Sequence, residues 1–350
     1  MIRVLIVDDS PSAAQFLAHI ISSDPEMEVV GIAGNGADGL RMAEKLRPDI
    51  ISMDINMPIM DGFETTHRIM SSCPVPIVIV SSLYDKASVA LSFKAMEAGA
   101  LNIINKPSAT SEESQNRGVQ ELLLMLKAMA GVRVIKRTTD KAAPTGSEFP
   151  VINIVQPQIK IVCIGASTGG PPVIQEILAG LPANIPVPIL VVQHITPGFG
   201  AGFSEWLNKT TGMPVQMAAQ GELPLPGHVY IAPDNLHLEL SSDGRLNNTS
   251  DPPCNGVRPS ISKLFRSTIT AFRQNALGIL LTGMGRDGAE ELKLMRDSGA
   301  ITIAQDRASS VVFGMPGEAV RLGGATHILP ADSIATMIQR LVNQTQSNHL

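Results

Sequence analysis

Five side chains capable of chemistry follow short apolar runs in the first third of the chain: Asp8, Asp9, Asp54, Ser81 and Lys106. Clustered carboxylates repel one another unless a cation neutralises them, and their hard oxygen atoms suit Mg²⁺. A carboxylate beside Mg²⁺ and a lysine ammonium can accept a phosphoryl group, because both cations stabilise charge on the transferring oxygens. The alternative for Asp8 and Asp9 is a cap on the helix that Ser10 and Pro11 begin.

A serine between glycines suggests a second kind of chemistry. Ser167 lies in GASTGG (165–170), which matches G-x-S-x-G and follows the apolar run KIVCIG. Glycines let the chain turn sharply, and the helix that Pro171 and Pro172 begin would favour an oxyanion at its N-terminus. Short Gly-Ser loops also bind phosphate or serve only as turns, so those alternatives stay open. The pattern is neither a Walker loop nor a G-x-G-x-x-G dinucleotide loop.

A nucleophilic serine needs a base and an acid that orients the base. His194 in VVQHITPGFG ends the next apolar run, and Asp287 follows LLTGMGR. A structural histidine and a helix-capping aspartate are the alternatives. Together with Ser167 they predict a hydrolytic triad in the chain order Ser, His, Asp, which differs from the order in α/β-hydrolases. The backbone N–H groups around Met284 and Gly285 are candidates for the oxyanion hole.

The first 130 residues alternate apolar runs with amphipathic segments. Strands are predicted at 2–7, 28–33, 49–53, 76–80 and 100–104. Helices are predicted near 12–22, 36–46, 62–71, 86–98 and 115–130. Continuous apolar strands separated by helices indicate a parallel sheet that is covered on both faces. Ligands of such sheets lie beyond the carboxyl ends of the strands, where the five chemical side chains stand.

A polar segment at 131–158 with several prolines predicts an interdomain linker, in which VINIV is a possible strand. The alternation resumes over 159–345. Strands are predicted at 160–165, 188–193, 228–232, 236–240, 276–282 and 300–305. Helices are predicted near 172–180, 199–209, 259–273, 287–297, 316–322 and 331–343. VYIAPDNLHLEL is predicted to form an antiparallel hairpin on a mainly parallel, doubly wound sheet, so both halves are α/β.

Length and composition agree with two globular domains. The chain has 350 residues, 44% hydrophobic and 17% charged. No apolar run is long enough to span a membrane. A net charge of −5 argues against nucleic-acid binding, and three scattered cysteines are expected to be reduced thiols in the cytoplasm.

Residues 1 to about 130 resemble a response-regulator receiver domain through VDDS, MDINMPIMDG, VSS and NKP. The resemblance implies that Asp54 is the phosphoacceptor and that Asp8, Asp9 and the Asn56 carbonyl serve Mg²⁺ with it. It also implies that Ser81 reports phosphorylation and that Lys106 contacts the phosphoryl group.

Residues 159 to about 345 resemble the catalytic domain of the chemotaxis protein-glutamate methylesterases. The stretches that carry this resemblance are IGASTGGP, QHITPGF, GHVYIAP, VRPSISKLF, GILLTGMGRDG and SSVVFGMPGEA. It implies Ser167 as the nucleophile, His194 as the general base and Asp287 as the orienting acid, with Thr168 beside the nucleophile. Many members have a histidine at Val257, an acid at Ser262 and Thr-Arg at Gly200-Ala201. We expect these departures to affect the receptor partner more than the chemistry.

Together the two resemblances imply a phosphorylation-regulated enzyme of chemosensory adaptation. It would demethylate γ-glutamyl methyl esters of chemoreceptors, release methanol and deamidate certain receptor glutamines. Its partners would be methyl-accepting receptors and a chemotaxis histidine kinase, without membrane insertion. Mg²⁺ would serve the receiver alone, and the hydrolase would need no cofactor. A receiver-controlled docking module without catalysis is the alternative, and a DNA-binding regulator is a third reading that no basic recognition helix supports.

Overall fold

A computed structural model describes residues 1–81, 86–107, 112–132, 134 and 158–343. The secondary structure up to Ala130 is called the first module here, and that from Ile159 onward the second. None of the helices in these ranges combines the length and the apolar composition that a bilayer span requires.

The first module is built on a parallel sheet of five strands in the order β2-β1-β3-β4-β5. The strands are β1 (Ile2–Val7), β2 (Met27–Ala33), β3 (Ile50–Met53), β4 (Ile77–Ser81) and β5 (Asn102–Asn105). The helices are α1 (Pro11–Ser22), α2 (Gly36–Leu46), α3 (Gly62–Ser72), α4 (Lys86–Glu97) and α5 (Glu112–Ala130). Every residue of β3 and β4 is buried, because helices cover both faces of the sheet.

Short polar side chains begin three of these helices. Ser10 accepts a hydrogen bond from the backbone of Ala13, and Pro11 occupies the first turn. Asn35 and Asp61 accept from the N–H groups three residues ahead, at 2.9 and 2.8 Å. Polar residues in the loops that follow the strands therefore fix where these helices begin.

The second module has nine strands and six helices among its described residues. The strands are β6 (Ile161–Ala166), β7 (Ile189–Gln193), β8 (Val215–Met217), β9 (Val229–Ile231), β10 (His237–Leu240), β11 (Leu246–Thr249), β12 (Ala276–Leu280), β13 (Ile301–Gln305) and β14 (His327–Leu329). The helices are α6 (Gly170–Ala179), α7 (Gly200–Thr211), α8 (Ile261–Phe272), α9 (Ala289–Asp297), α10 (Met315–Arg321) and α11 (Ala331–Asn343), and a short 3-10 turn spans Arg273–Asn275.

Seven of the nine strands form one parallel sheet in the order β14-β13-β12-β6-β7-β9-β8. The strands β10 and β11 form a separate antiparallel pair. An antiparallel hairpin was predicted, but its placement within VYIAPDNLHLEL was wrong. The segment Val229–Ile231 instead joins the large sheet parallel to β7 and β8, in keeping with its completely buried side chains.

The strands β8, β11 and β14 were not predicted; each has only three or four residues, and β8 and β14 lie at the edges of the large sheet. The possible strand VINIV, most of the linker at 131–158 and residues 344–345 lie outside the described residues.

The two modules meet where α4 packs against α7. A Cβ on Gly202 would lie 2.1 Å from Val89, so the glycine allows close approach of the helices. Phe93 of the first module lies 5.6 Å from Phe203 and 5.3 Å from Trp206, between ring centres. The indole Nε1 of Trp206 donates a 2.8 Å hydrogen bond to Glu97. The contact between α4 and α7 therefore combines packed aromatic rings with one side-chain hydrogen bond.

Candidate functional site

An acidic cluster lies at the carboxyl ends of β1 and β3. One carboxylate oxygen from each of Asp8, Asp9 and Asp54 lies within 4.8 Å of the others. Lys106, which follows β5, places Nζ 2.7 Å from Asp8 Oδ2 and 2.9 Å from Asp54 Oδ2. Asp8 and Asp54 are buried, whereas Asp9 is exposed. The cluster is therefore a partly closed site with one exposed carboxylate.

Burial dominates the electrostatics of this cluster. Burial raises the pKa of Asp54, and the negative charge of Asp8 adds to that effect, although Lys106 opposes both. Burial also acts to lower the pKa of Lys106, but its hydrogen bonds with Asp54 and Asp8 outweigh it and raise that pKa. An additional cation would relieve the crowding of negative charge.

The other predicted residues of this site line the same cavity of about 220 Å³. Its walls include Asn56 and Ser81 together with Asp9, Asp54 and Lys106.

The tight Asp-Gly turn beyond Asp54 has a steric reason. A Cβ on Gly62 would lie 2.2 Å from the carbonyl oxygen of Asp54. Only glycine lets α3 start so close behind Asp54.

A second group of side chains lies at the carboxyl edge of the large sheet. The strand order β12-β6-β7 brings the segments carrying Asp287, Ser167 and His194 next to one another. His194 Nε2 lies 3.0 Å from Asp287 Oδ2, so a histidine–carboxylate hydrogen bond spans the end of β6. Among the described residues, the hydrogen bonds include none between Ser167 Oγ and the His194 ring. Such bonds are often long until substrate binds.

Backbone contacts hold Ser167 between its neighbours. Its N–H donates to Thr282 at 3.0 Å, and the next strand is joined by the hydrogen bond from His194 N to Ala166 O at 2.9 Å. A Cβ on Gly283 would lie 2.6 Å from Ser167 Cβ, so the backbone at Gly283 passes directly behind the serine and leaves no room for a side chain. Gly169 at φ +74° makes the turn into α6.

Hydrogen-bond donors surround the Asp287 carboxylate. Oδ1 accepts from Ser260 Oγ at 2.8 Å and from Asn255 Nδ2 at 2.9 Å. Oδ2 accepts from the backbone of Ile261 at 2.6 Å, at the start of α8. Burial acts to raise the pKa of Asp287, but the hydrogen bonds with His194, Asn255 and Ser260 outweigh it and hold that pKa well below its usual range. Asp287 is therefore an ionised and fixed carboxylate.

The predicted oxyanion residues lie on the loop after β12. Met284 is 39% exposed, and Gly285 adopts φ +89°. Within the described part of the chain, no hydrogen bond from the N–H of Met284 or Gly285 occurs. Thr168 is buried beside Ser167, and its carbonyl accepts from Thr282 Oγ1 at 2.9 Å.

Three residues that the sequence did not suggest complete this second group. Gln193 Nε2 donates to the carbonyls of both Ser167 and His194, at 2.8 Å each. Asn255 and Ser260 hold Asp287 from a segment about 30 positions away in the chain. The Asn-Gly pair at 255–256 is a turn signal, and it was the one available hint.

The expectation that the departure at Ser262 affects mainly the receptor partner stays a prediction, although the structure places Ser262 close to Asp287. The backbone N–H of Ser262 lies 3.3 Å from Asp287 Oδ1, and its hydroxyl donates to the buried Glu291. Its position is thus directly beside the proposed orienting acid.

Residues 162–338 match the family model described as CheB methylesterase, and residues 4–115 match the response regulator receiver domain. The chain belongs to the CheB methylesterase family. The predicted architecture of two α/β domains, a receiver followed by a methylesterase domain, is confirmed.

Relatives and a solved structure agree with membership of the CheB family. The chain is 47% identical to protein-glutamate methylesterase/protein-glutamine glutaminase 1 of Syntrophus aciditrophicus, over 97% of this chain and 98% of the relative. It is 48% identical to the protein numbered 4 of that name in Geobacter metallireducens, over 97% and 99%. The crystal structure of the Thermotoga maritima CheB methylesterase catalytic domain is 36% identical, covers 53% of this chain and 99% of its own, and has a TM-score of 0.51.

Proposed function

We propose that this CheB-family protein hydrolyses γ-glutamyl methyl esters of chemoreceptors, releases methanol and deamidates receptor glutamines during chemosensory adaptation. The observation that carries the proposal is the 3.0 Å hydrogen bond between His194 and Asp287 across the end of the strand that leads to Ser167. The names of the relatives, which combine methylesterase and glutaminase, support the substrate class.

Acylation begins at Ser167. Because Nε2 of His194 is bonded to Asp287, the other ring nitrogen, Nδ1, takes the proton of Ser167 Oγ. Oγ attacks the ester carbonyl carbon, and the N–H groups of Met284 and Gly285 donate to the oxyanion. Collapse breaks the C–O bond, and the protonated His194 returns its proton to the leaving methoxide, which becomes methanol.

Deacylation repeats these steps with water. His194 takes a proton from water, whose oxygen attacks the acyl carbon. The bond between that carbon and Ser167 Oγ then breaks, and His194 returns the proton to Oγ. The product is a glutamate carboxylate. A glutamine side chain follows the same route with ammonia as the leaving group, and Asp287 keeps the imidazole oriented throughout. The route needs no cofactor at this site.

The receiver accepts a phosphoryl group at Asp54 from a chemotaxis histidine kinase. Three clustered carboxylate oxygens are the hard donors that Mg²⁺ prefers, so Asp8, Asp9, Asp54 and the Asn56 carbonyl fit the ion. Mg²⁺ bound there would supply positive charge that stabilises the transferring oxygens. Lys106 contacts the phosphoryl group, and the hydroxyl of Ser81 moves to meet it.

Phosphorylation reaches the hydrolase through the loop after His194. Asn105, next to Lys106, donates to the carbonyl of Pro197 at 3.3 Å, and Thr196 Oγ1 donates to the carbonyl of Ile103 at 3.0 Å. A shift of Lys106 toward a new phosphoryl group would move the end of β5 and weaken this contact. The equilibrium between closed and open arrangements of the modules would then shift.

The enzyme acts in the cytoplasm on the methylated regions of chemoreceptors. Its partners are those receptors and the kinase, and neither nucleic acid nor membrane insertion is needed.

Methanol release from methylated receptors tests the proposal. Ser167→Ala removes the nucleophile and should abolish release, while Ser250→Ala removes another, exposed hydroxyl and should leave release unchanged. Unchanged release in Ser167→Ala would refute the catalytic role of the serine. Receptor binding without methanol release in the unmodified protein would favour the non-catalytic docking module.

A further inference from the structure

Asn255 lies in a tight two-residue turn beside the proposed catalytic group. Cys254 and Val257 exchange two backbone hydrogen bonds of 3.1 Å, and Asn255 and Gly256 between them have φ values of +55° and +80°. Positive φ at both central residues is the type I′ pattern, which asparagine followed by glycine favours. The turn therefore fixes the backbone position from which the Asn255 side chain extends.

The amide of Asn255 makes two hydrogen bonds, one to the distant Asp287 and one to Ser262 near the start of α8. Nδ2 donates to Asp287 Oδ1 at 2.9 Å and to Ser262 Oγ at 3.0 Å. Ser262 Oγ in turn accepts from the N–H of Gly288 at 3.0 Å, and Gly288 follows Asp287 in the chain. The amide is thus tied both to the carboxylate and to the backbone that carries it.

The two oxygens of Asp287 have different hydrogen-bond partners. Oδ2 faces His194 and is anchored by Ile261 N, whereas Oδ1 is held by the side chains of Ser260 and Asn255. Rotation of the carboxylate would break the Oδ1 bonds. Ser260 is completely buried, but Asn255 is exposed, so Asn255 is the one of these two side chains that can be changed without unpacking the core.

Other charges around Asp287 are few among the described residues. Glu291 is buried behind Ser262 and paired with Arg266 at 2.7 Å, and Arg286 precedes Asp287 in the chain. The His194 ring is itself the hydrogen-bond partner of Asp287. The Asn255 amide thus lies beside Asp287 as a neutral donor.

We propose that Asn255 is a positioning residue, which fixes the Asp287 carboxylate so that Oδ2 stays directed at His194. This inference rests on the proposed hydrolase function for its kinetic consequence but not for the structural one. Asn255 touches neither substrate nor reacting atoms in this role.

Asn255→Gly tests the role, because glycine keeps the positive φ and removes the amide. Asn235→Gly is the matched control, since Asn235 is also exposed and has φ +57°. With methylated receptor as substrate, kcat should fall about tenfold in Asn255→Gly while KM changes less than twofold, because one hydrogen bond to a charged group is lost. A kcat within twofold of the unmodified enzyme would overturn the proposal.

Proton NMR tests the same role without any substrate. The proton shared by His194 and Asp287 should resonate far downfield, and His194→Gln assigns it by its loss. We expect the resonance in the unmodified protein and in Asn235→Gly, and its broadening or upfield shift in Asn255→Gly. If it stays unchanged in Asn255→Gly, or is missing from the unmodified protein, the positioning role is refuted. If it responds as expected while no protein releases methanol, the positioning role stands and the hydrolase proposal fails.

Asn255→Asp keeps the size of the side chain and covers the case in which the glycine variant does not fold. It replaces the donor with a carboxylate facing Asp287, so the downfield resonance and kcat should both change more than in Asn235→Gly. If the resonance and kcat of Asn255→Asp are the same as in the unmodified protein, the proposal is overturned as well.

Discussion

Asp54 and Asp287 both lie at the carboxyl edge of a parallel sheet, yet their surroundings shift their pKa values in opposite directions. Both carboxylates are buried; Asp54 follows β3 directly, whereas Asp287 lies on the loop after β12. Asp54 shares one lysine with Asp8, and its pKa is raised because burial outweighs that pairing. Asp287 accepts from several fixed donors, and its pKa is lowered despite burial. A buried carboxylate with few donors is suited to react and bind cations, whereas one held by several fixed donors is suited to orient a neighbour.

Asp287→Asn should have the largest effect on activity, because it removes the negative charge that the surrounding donors stabilise. We expect kcat for methanol release to fall by about 10³–10⁴-fold, the scale seen when a triad loses its orienting acid. Asp332→Asn changes an exposed acid of α11 and should leave kcat unchanged. A loss of less than tenfold in Asp287→Asn, with an intact circular-dichroism spectrum, would argue against an orienting role.

Lys106→Met tests the other side of the comparison, where a single cation serves two carboxylates. Without Lys106 the phosphoryl group on Asp54 would lose its contact, so stimulation of methanol release by acetyl phosphate and Mg²⁺ should fall about tenfold. Lys45→Met removes an exposed lysine of α2 as a control. Full stimulation of Lys106→Met would show that the signal leaves Asp54 by another route.

Acid titration should reveal a smaller effect, the pH dependence of stability that follows from the lowered pKa of Asp287. Because the pKa of Asp287 in the folded protein lies below its unfolded value of 3.8, the folded state binds fewer protons. Its stabilising contribution is complete above that value and is lost as the pH falls toward the folded pKa. The difference in Tm of the second module between the unmodified protein and Asp287→Asn should therefore shrink by roughly 3 °C between pH 5 and pH 3. A difference independent of pH would mean that the carboxylate is not held in its charged form. Asp54, with its raised pKa, contributes the opposite sign.

Much of this architecture could be read from the sequence, because strand ends and their polar residues coincide. Runs such as IISM and IVCIGA are mainly apolar, and Asp54 and Ser167 follow them directly. The hairpin was misplaced because VYI, followed after a turn by HLEL, looks like an antiparallel pair. The strand pairing shows that β9 belongs to the parallel sheet, where its residues are buried.

The support of Asp287 could not be predicted in the same way. Asn255 and Ser260 reach it from 32 and 27 positions away, through a turn and a helix start whose placement depends on the folded core. Their residue types are common in turns and helix caps; the Asn-Gly pair indicates a turn but not which group the asparagine contacts.

Trp206 is the single tryptophan of the chain, and it stacks on Phe93 of the receiver while donating to Glu97. The protein therefore carries a built-in fluorophore at the seam between its signalling and hydrolytic halves. Separation of the halves would expose the indole to water and alter its emission, so the time course of activation is open to stopped-flow recording without any dye.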